Sequence, residues 1–146
     1  MFVYVWMLFL LLAGPYIQSN GFLLPDPKIT PGVVRTADTL VYCHQSTKEV
    51  RHTSTALKDT VYAEYGWSGM MHPKGEIDHK VPLELGGADV RQNLWFQPDG
   101  EFQRKDSVEN WAHRQVCSGK MNGVYTQEMF KKDWTHLWLH MHNRTK

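Results

Sequence analysis

The stretch Glu76-Ile77-Asp78-His79-Lys80-Val81-Pro82-Leu83-Glu84-Leu85-Gly86-Gly87, followed by Asn93-Leu94-Trp95-Phe96-Gln97, decides the reading of this chain. Two short strand-like runs, 76–85 and 93–97, flank Gly86-Gly87-Ala88-Asp89, which predicts a hairpin with a wide, glycine-relaxed connection. Within it Asp78 stands beside His79. An unperturbed imidazole has a pKa of about 6.5, so at neutral pH His79 is available as a neutral base for a water proton. A hard cation such as Mg²⁺ takes carboxylate oxygens and keeps waters, which leaves room for a phosphate. The pair therefore offers a base and a metal ligand, the two parts that phosphodiester hydrolysis needs. On an ideal strand adjacent side chains face opposite ways. Asp78 and His79 share one site only if the strand ends or twists there, and Pro82 makes an early end expected. The plain alternative is a surface ion pair in a hairpin.

Outward from the hairpin the chain reads mainly as helices. Thr53 or Ser54 caps a helix running to Glu64, with Ala56, Leu57, Val61 and Tyr62 on one face and Gly66 as its stop. Residues 69–75 form a loop. Asp99 caps a second helix through Val116, ended by Ser118-Gly119. A last helix is expected from Thr126 through Met141, with Met129, Phe130, Trp134, Leu137 and Trp138 as its apolar stripe. Residues 20–35, punctuated by Gly21, Pro25, Pro27, Pro31 and Gly32, read as an extended surface arm. Helix, hairpin, helix, helix is an α+β arrangement in a single small domain.

At 146 residues the chain is sized for one domain, and its formal net charge of +1 announces no strong basic field. Any nucleic-acid groove must then be a local feature. Residues 2–13 form an uncharged apolar run cut short by Gly14-Pro15, too short to span a bilayer and suited to the core of an export signal. Residues 1–19 are accordingly read as a signal peptide cleaved after Ser19, with an uncleaved membrane anchor as the alternative, and 20–146 as the working domain. The two cysteines, Cys43 and Cys117, never form a C-x-x-C pair, which excludes a cysteine-rich zinc site. In an exported chain they are expected to join as a disulfide; in a reducing compartment they would be buried thiols.

Asp78-His79-x-x-Pro82-x-x-x-Gly86-Gly87, then Asn93-Leu94, then a helix, resembles the HNH, or ββα-metal, endonuclease family. The likeness extends over roughly residues 28–136. Thr30-Pro31-Gly32-Val33-Val34-Arg35, Cys43 and Arg51 resemble the front of small bacterial and phage proteins carrying that domain. Lys105-Asp106-x-x-Glu109-Asn110-x-x-His113, Val116-Cys117-Ser118-Gly119 and Asp133-Trp134 resemble their C-terminal half. The resemblance implies a ββα-metal core and a metal-dependent endonuclease, with DNA as the expected substrate. It makes Asp78 a metal ligand, His79 the general base and Asn93 the residue that holds the loop carrying His79. The cofactor it implies is a divalent ion, Mg²⁺ first and Mn²⁺ or Zn²⁺ as alternatives. A non-catalytic nucleic-acid- or protein-binding domain of the same fold is the rival reading.

The third ligand is the loosest part of the match. The family places it on the following helix near Phe102 and Gln103, neither a good hard ligand, with Glu101 just before them. On a helical wheel Phe102, Asp106, Glu109, His113 and Val116 share one side, expected to pack on the hairpin. His113 is the first choice, since imidazole is a common transition-metal ligand and it completes a His-Asn-His order; Glu109 is second. The competing reading pairs Glu109 and His113 with Lys105 and with each other. Arg35, Arg51 and Lys80 are candidates for phosphate contacts, each against a solvated-charge alternative. His136 and His140 lie at i, i+4 but lack an evident third ligand, and histidine near a helix C-terminus is favourable in any case.

Overall fold

The computed structural model describes residues 14–143, so the apolar run 2–13 lies outside the described residues. In chain order come strands β1 (Tyr16–Ser19) and β2 (Phe22–Pro25), short helices α1 (Thr39–Tyr42) and α2 (Thr47–Val50), helix α3 (Thr55–Glu64) and strand β3 (Gly75–His79). Strand β4 (Leu94–Pro98) and helices α4 (Glu101–Cys117), α5 (Gly123–Lys132) and α6 (Thr135–Asn143) complete it. The expected α+β class and single small domain are what is seen.

The central hairpin pairs β3 with β4 antiparallel, from Gly75 opposite Pro98 to His79 opposite Leu94. A two-stranded ribbon is marginal in water unless helices cover it. Leu94, Trp95 and Phe96 of β4 form one core with Val61 and Tyr65 of α3. A second core joins Phe22 and Leu24 of β2, Val81 and Leu85, Val108, Ala112 and Val116 of α4, and Phe130, Trp134 and Leu137. Helix α3 begins at the Ser54 cap, whose Oγ accepts the Leu57 N–H at 3.1 Å, and Gly66 follows its end at φ +81°.

Three expectations change. Residues 20–35 are not a surface arm: β2 is part of a hairpin with β1, and Thr30 is fully buried, its Oγ1 donating to Leu94 O at 3.0 Å. Strand β3 is shorter than expected, because the chain turns at Lys80 into a 3₁₀ turn over Leu83–Leu85. The last helix is two helices, since Asp133 leaves helical geometry and its Oδ1 accepts the Thr135 N–H at 2.9 Å to start α6. Strand β1, which ends at Ser19, is held to the rest of the fold. Ser19 Oγ bonds the Asp133 carboxylate, and Tyr16 donates its hydroxyl to Phe96 O at 2.8 Å. A cut after Ser19 would remove β1 from the hairpin.

Cys43 and Cys117 are joined as a disulfide, with Cα atoms 5.7 Å apart. The bridge ties the end of α1 to the end of α4. Among the described residues no helix is long and apolar enough to cross a membrane.

Candidate functional site

Strand β3 ends at His79, and that end brings Asp78 and His79 to one place. Both line a cleft of about 220 Å³ together with Arg51, Glu84, Asp106, Glu109 and Asn110. The loop that closes this end is pinned by Asn93, which is fully buried. Its Nδ2 donates to Val81 O at 2.9 Å and Ala88 O at 2.8 Å, while its Oδ1 accepts the N–H groups of Val81 (2.9 Å) and Val33 (3.1 Å). The amide thus uses its donor and acceptor capacity on backbone, fixing the turn that follows His79 at the position where the resemblance implies such a residue. The glycine pair makes the turn possible. A Cβ on Gly87 would stand 1.9 Å from Val81 O, and Gly86 sits at φ +83° with Thr36 O 2.2 Å from where its Cβ would be.

Three carboxylates converge here. Glu76 and Asp78, two apart on β3, share a face, and Asp106 reaches them from α4; each offers an oxygen within 4.8 Å of the others. Opposite ligands of an octahedral Mg²⁺ at about 2.1 Å stand about 4.2 Å apart, so small side-chain adjustments would close this group on a hard cation. The three groups also perturb one another. Burial, with the charges of Asp78 and Asp106, pushes the Glu76 carboxyl up to about 7. Burial and Asp78 push Asp106 up as well. This is the behaviour of crowded carboxylates whose charge is incompletely matched. The all-oxygen donor set fits Mg²⁺ or Mn²⁺ better than Zn²⁺.

Lys105 supplies a compensating charge inside the protein. Its side chain is fully buried in the middle of the inward face of α4. The ammonium lies 2.7 Å from Asp78 Oδ2, bonds Glu109, and donates to His79 O at 2.8 Å. Although burial opposes its charge, Asp78 and Glu109 hold Lys105 above the ordinary lysine range. Glu109, by burial, is pushed the other way, toward its neutral form, with Lys105 opposing. Glu109 lines the cleft but is committed to Lys105, the pairing weighed from sequence as the alternative to a ligand role.

His79 Nε2 is 2.7 Å from Asp89 Oδ1, with the two side chains 5% and 6% exposed. Asp89 also accepts the Thr53 hydroxyl at 2.5 Å and the His52 N–H. Burial raises the Asp89 carboxyl, but the hydrogen bonds from Thr53, His79 and His52 outweigh it and hold the group below its usual range. Burial lowers His79, against the pull of Asp89 and Asp78, so the imidazole is neutral at pH 7.

The remaining candidates separate. Arg51 is exposed at the cleft, where its charge lowers both Glu76 and His79. Arg35 is exposed but does not line the cleft; its backbone N–H bonds Gly86 O at 2.7 Å. Lys80 is withdrawn as a phosphate contact, because it is buried and its ammonium donates to Thr30 O at 2.8 Å. His113 is not brought to the carboxylates. It stands against Cys43 and Cys117, whose sulfurs are spent in the disulfide. The buried stripe of α4 is Lys105, Val108, Ala112 and Val116, so the face bearing Asp106, Glu109 and His113 is a flank, and His113 lies beyond the cleft. Glu101 is turned toward the Leu23 backbone. Glu76 and Asp89 were not singled out from the sequence as candidates. The i, i+2 carboxylates of Glu76 and Asp78 were a readable signal; nothing in the sequence alone ties Asp89 to His79.

Comparison with known families, with curated proteins and with solved structures gives no match.

Proposed function

We infer that this chain is a metal-dependent endonuclease of the HNH, or ββα-metal, kind, cutting nucleic acid and foremost DNA. The observation that carries the reading is the meeting, in one cleft, of a neutral imidazole, converging carboxylates from β3 and α4, and an exposed arginine. Glu76, Asp78 and Asp106 would hold the ion. When bound, a divalent cation supplies Lewis-acid charge for a phosphate and its departing oxygen. His79 takes the proton of the attacking water. Arg51 offers its guanidinium to a phosphate oxygen of the entering strand. Asn93 and the glycine pair hold His79 in place, and Lys105 orients Asp78 through their 2.7 Å contact.

The same reading places the protein outside the cytosol after removal of its leader, supported by the Cys43–Cys117 bridge. N-terminal sequencing of the mature protein tests that part.

Activity is tested by incubating purified protein with supercoiled plasmid and with structured RNA, in EDTA and with Mg²⁺, Mn²⁺ or Zn²⁺. Metal-dependent nicking is expected, abolished by EDTA. His79→Ala should lose about 10²–10⁴-fold in rate with its melting temperature kept. Cleavage at the parental rate by His79→Ala, or in EDTA, overturns the reading.

A further inference from the structure

We propose that Asp89 is the positioning residue of the base: it locks His79 in the tautomer with hydrogen on Nε2 and so reserves Nδ1 for the attacking water. The inference rests on the nuclease reading for the role of His79, and on geometry for the rest. A neutral imidazole carries one hydrogen, on either nitrogen, and the neighbour of one nitrogen decides which. Asp89 Oδ1 lies 2.7 Å from Nε2, and an ionised carboxylate can only accept. Nε2 must then carry the hydrogen. His79 lines the cleft, and among the described residues Nδ1 has no hydrogen-bond partner, so Nδ1 is the nitrogen left to face a water.

The carboxylate is itself fixed. Thr53 Oγ1 donates to Oδ1 at 2.5 Å, and the backbone N–H of His52 donates to Oδ2. Both donors come from the link between α2 and α3, so a segment distant in sequence sets the ring orientation. When His79 accepts a proton from water it becomes an imidazolium whose charge faces the Asp89 carboxylate across that hydrogen bond. The proton comes from water to Nδ1, and Nε2 keeps its own; no proton passes to Asp89.

This arrangement makes an unusual order of variants. In Asp89→Asn the backbone N–H of His52 cannot become an acceptor, so the amide oxygen must take that side. The NH₂ group then replaces Oδ1, donating toward Nε2, while Thr53 can turn its hydroxyl to accept. Nε2 becomes the acceptor, and the hydrogen moves to Nδ1, where it blocks the base. Asp89→Ala removes the instruction without reversing it, leaving both tautomers accessible. A purely structural carboxylate predicts the opposite order, with the near-isosteric Asn milder than Ala.

The test combines imidazole ¹⁵N NMR and kinetics. Metal-free protein with ¹⁵N-labelled histidine is recorded at pH 8 in EDTA, the His79 signals being assigned against His79→Ala. The wild type should show a protonated, pyrrole-type Nε2 and a pyridine-type Nδ1, and Asp89→Asn should show the two exchanged. With plasmid and Mn²⁺, kcat should fall about 10²–10⁴-fold in Asp89→Asn, with KM little changed and Asp89→Ala intermediate. A hydrogen on Nδ1 in the wild type, or Asp89→Asn more active than Asp89→Ala, overturns the proposal. The wild-type spectrum decides even if a variant fails to fold. Were the wild type to cut no nucleic acid, the nuclease reading would fall, and the spectrum would still decide whether Asp89 sets the ring.

Discussion

Replacing Lys105 by methionine tests how the site is held before any ligand arrives. Methionine keeps the length of the side chain and its place beside the Phe130 ring but removes the ammonium. Three oxygen groups then lose their partner: Asp78 Oδ2, the Glu109 carboxylate and His79 O. Breaking a buried ion pair from one side costs about 3–5 kcal/mol, because the remaining charge is left uncompensated. Two carboxylates are stranded here, but Glu109, already pushed toward its neutral form, can take a proton at pH 7 and limit the loss. A net cost of about 4 kcal/mol follows, which for a domain of this size is a drop in melting temperature of roughly 10–15 °C. Urea and thermal unfolding of both proteins in EDTA at pH 7 measure it. Two dependences identify the cause. The deficit should narrow at pH 5, where Glu109 completes its move to the neutral form, and, with an ion held by the carboxylates as proposed, it should shrink with Mn²⁺, whose charge would replace the lost ammonium and favour the variant over the wild type. A loss below about 1 kcal/mol, or one indifferent to pH and metal, would refute the argument that Lys105 is the internal counter-ion.

Other consequences are as direct. The folded pKa of Glu76, about 7, exceeds its unfolded value, so between pH 5 and 7 the native state binds more protons than the unfolded state. The Glu76 contribution to metal-free stability should therefore be full below pH 5, decline as pH rises to 7 and level off above it, and a saturating divalent ion should flatten that slope in urea titrations. Asp106→Asn should raise the Mn²⁺ concentration needed for half-maximal cleavage by tenfold or more, whereas His113→Ala should leave it unmoved; the reverse result would return the third ligand to His113. Reducing the Cys43–Cys117 bridge, or replacing both cysteines by serine, should cost about 4 kcal/mol in urea unfolding through loop-closure entropy. Free-thiol titration of denatured, unreduced protein should find none.

How far the sequence could be read follows from the range of the signals involved. The Asp78-His79 site was legible because both residues are neighbours at a strand end, and Pro82 and Gly86-Gly87 announce the turn locally. Helix α3 was legible from Ser54 and Gly66, which act within one turn of themselves. Lys80 misled because a lysine reads as solvated, while its ammonium meets Thr30 O, 50 residues away in the chain. The wheel of α4 misled differently. An amphipathic reading puts charge outward, yet Lys105 lies at the centre of the buried stripe, its charge matched by Asp78 on another element and by Glu109. His113 shares a flank with Asp106 but stands about two turns further along the helix, against the disulfide and away from the carboxylates. The arm 20–35 looked like loop because prolines and glycines dominate it, but Phe22, Leu24 and Thr30 are buried under long-range contacts. What pairs across the fold is invisible to local periodicity.

The disulfide also has a meaning for the chain as a covalent object. Residues 44–116 form a ring closed by Cys43 and Cys117, and that ring contains Asp78, His79, Asp89, Asn93 and Asp106. The ring also contains the turn after α3, where Met70 and Met71 are 96% and 78% exposed, the kind of tip where proteases cut. A single scission there opens the ring without dividing the molecule. The nicked protein would run as one species until reductant splits it into two fragments. The ring is a form of damage tolerance, keeping both halves of the cleft on one molecule after the backbone has been severed.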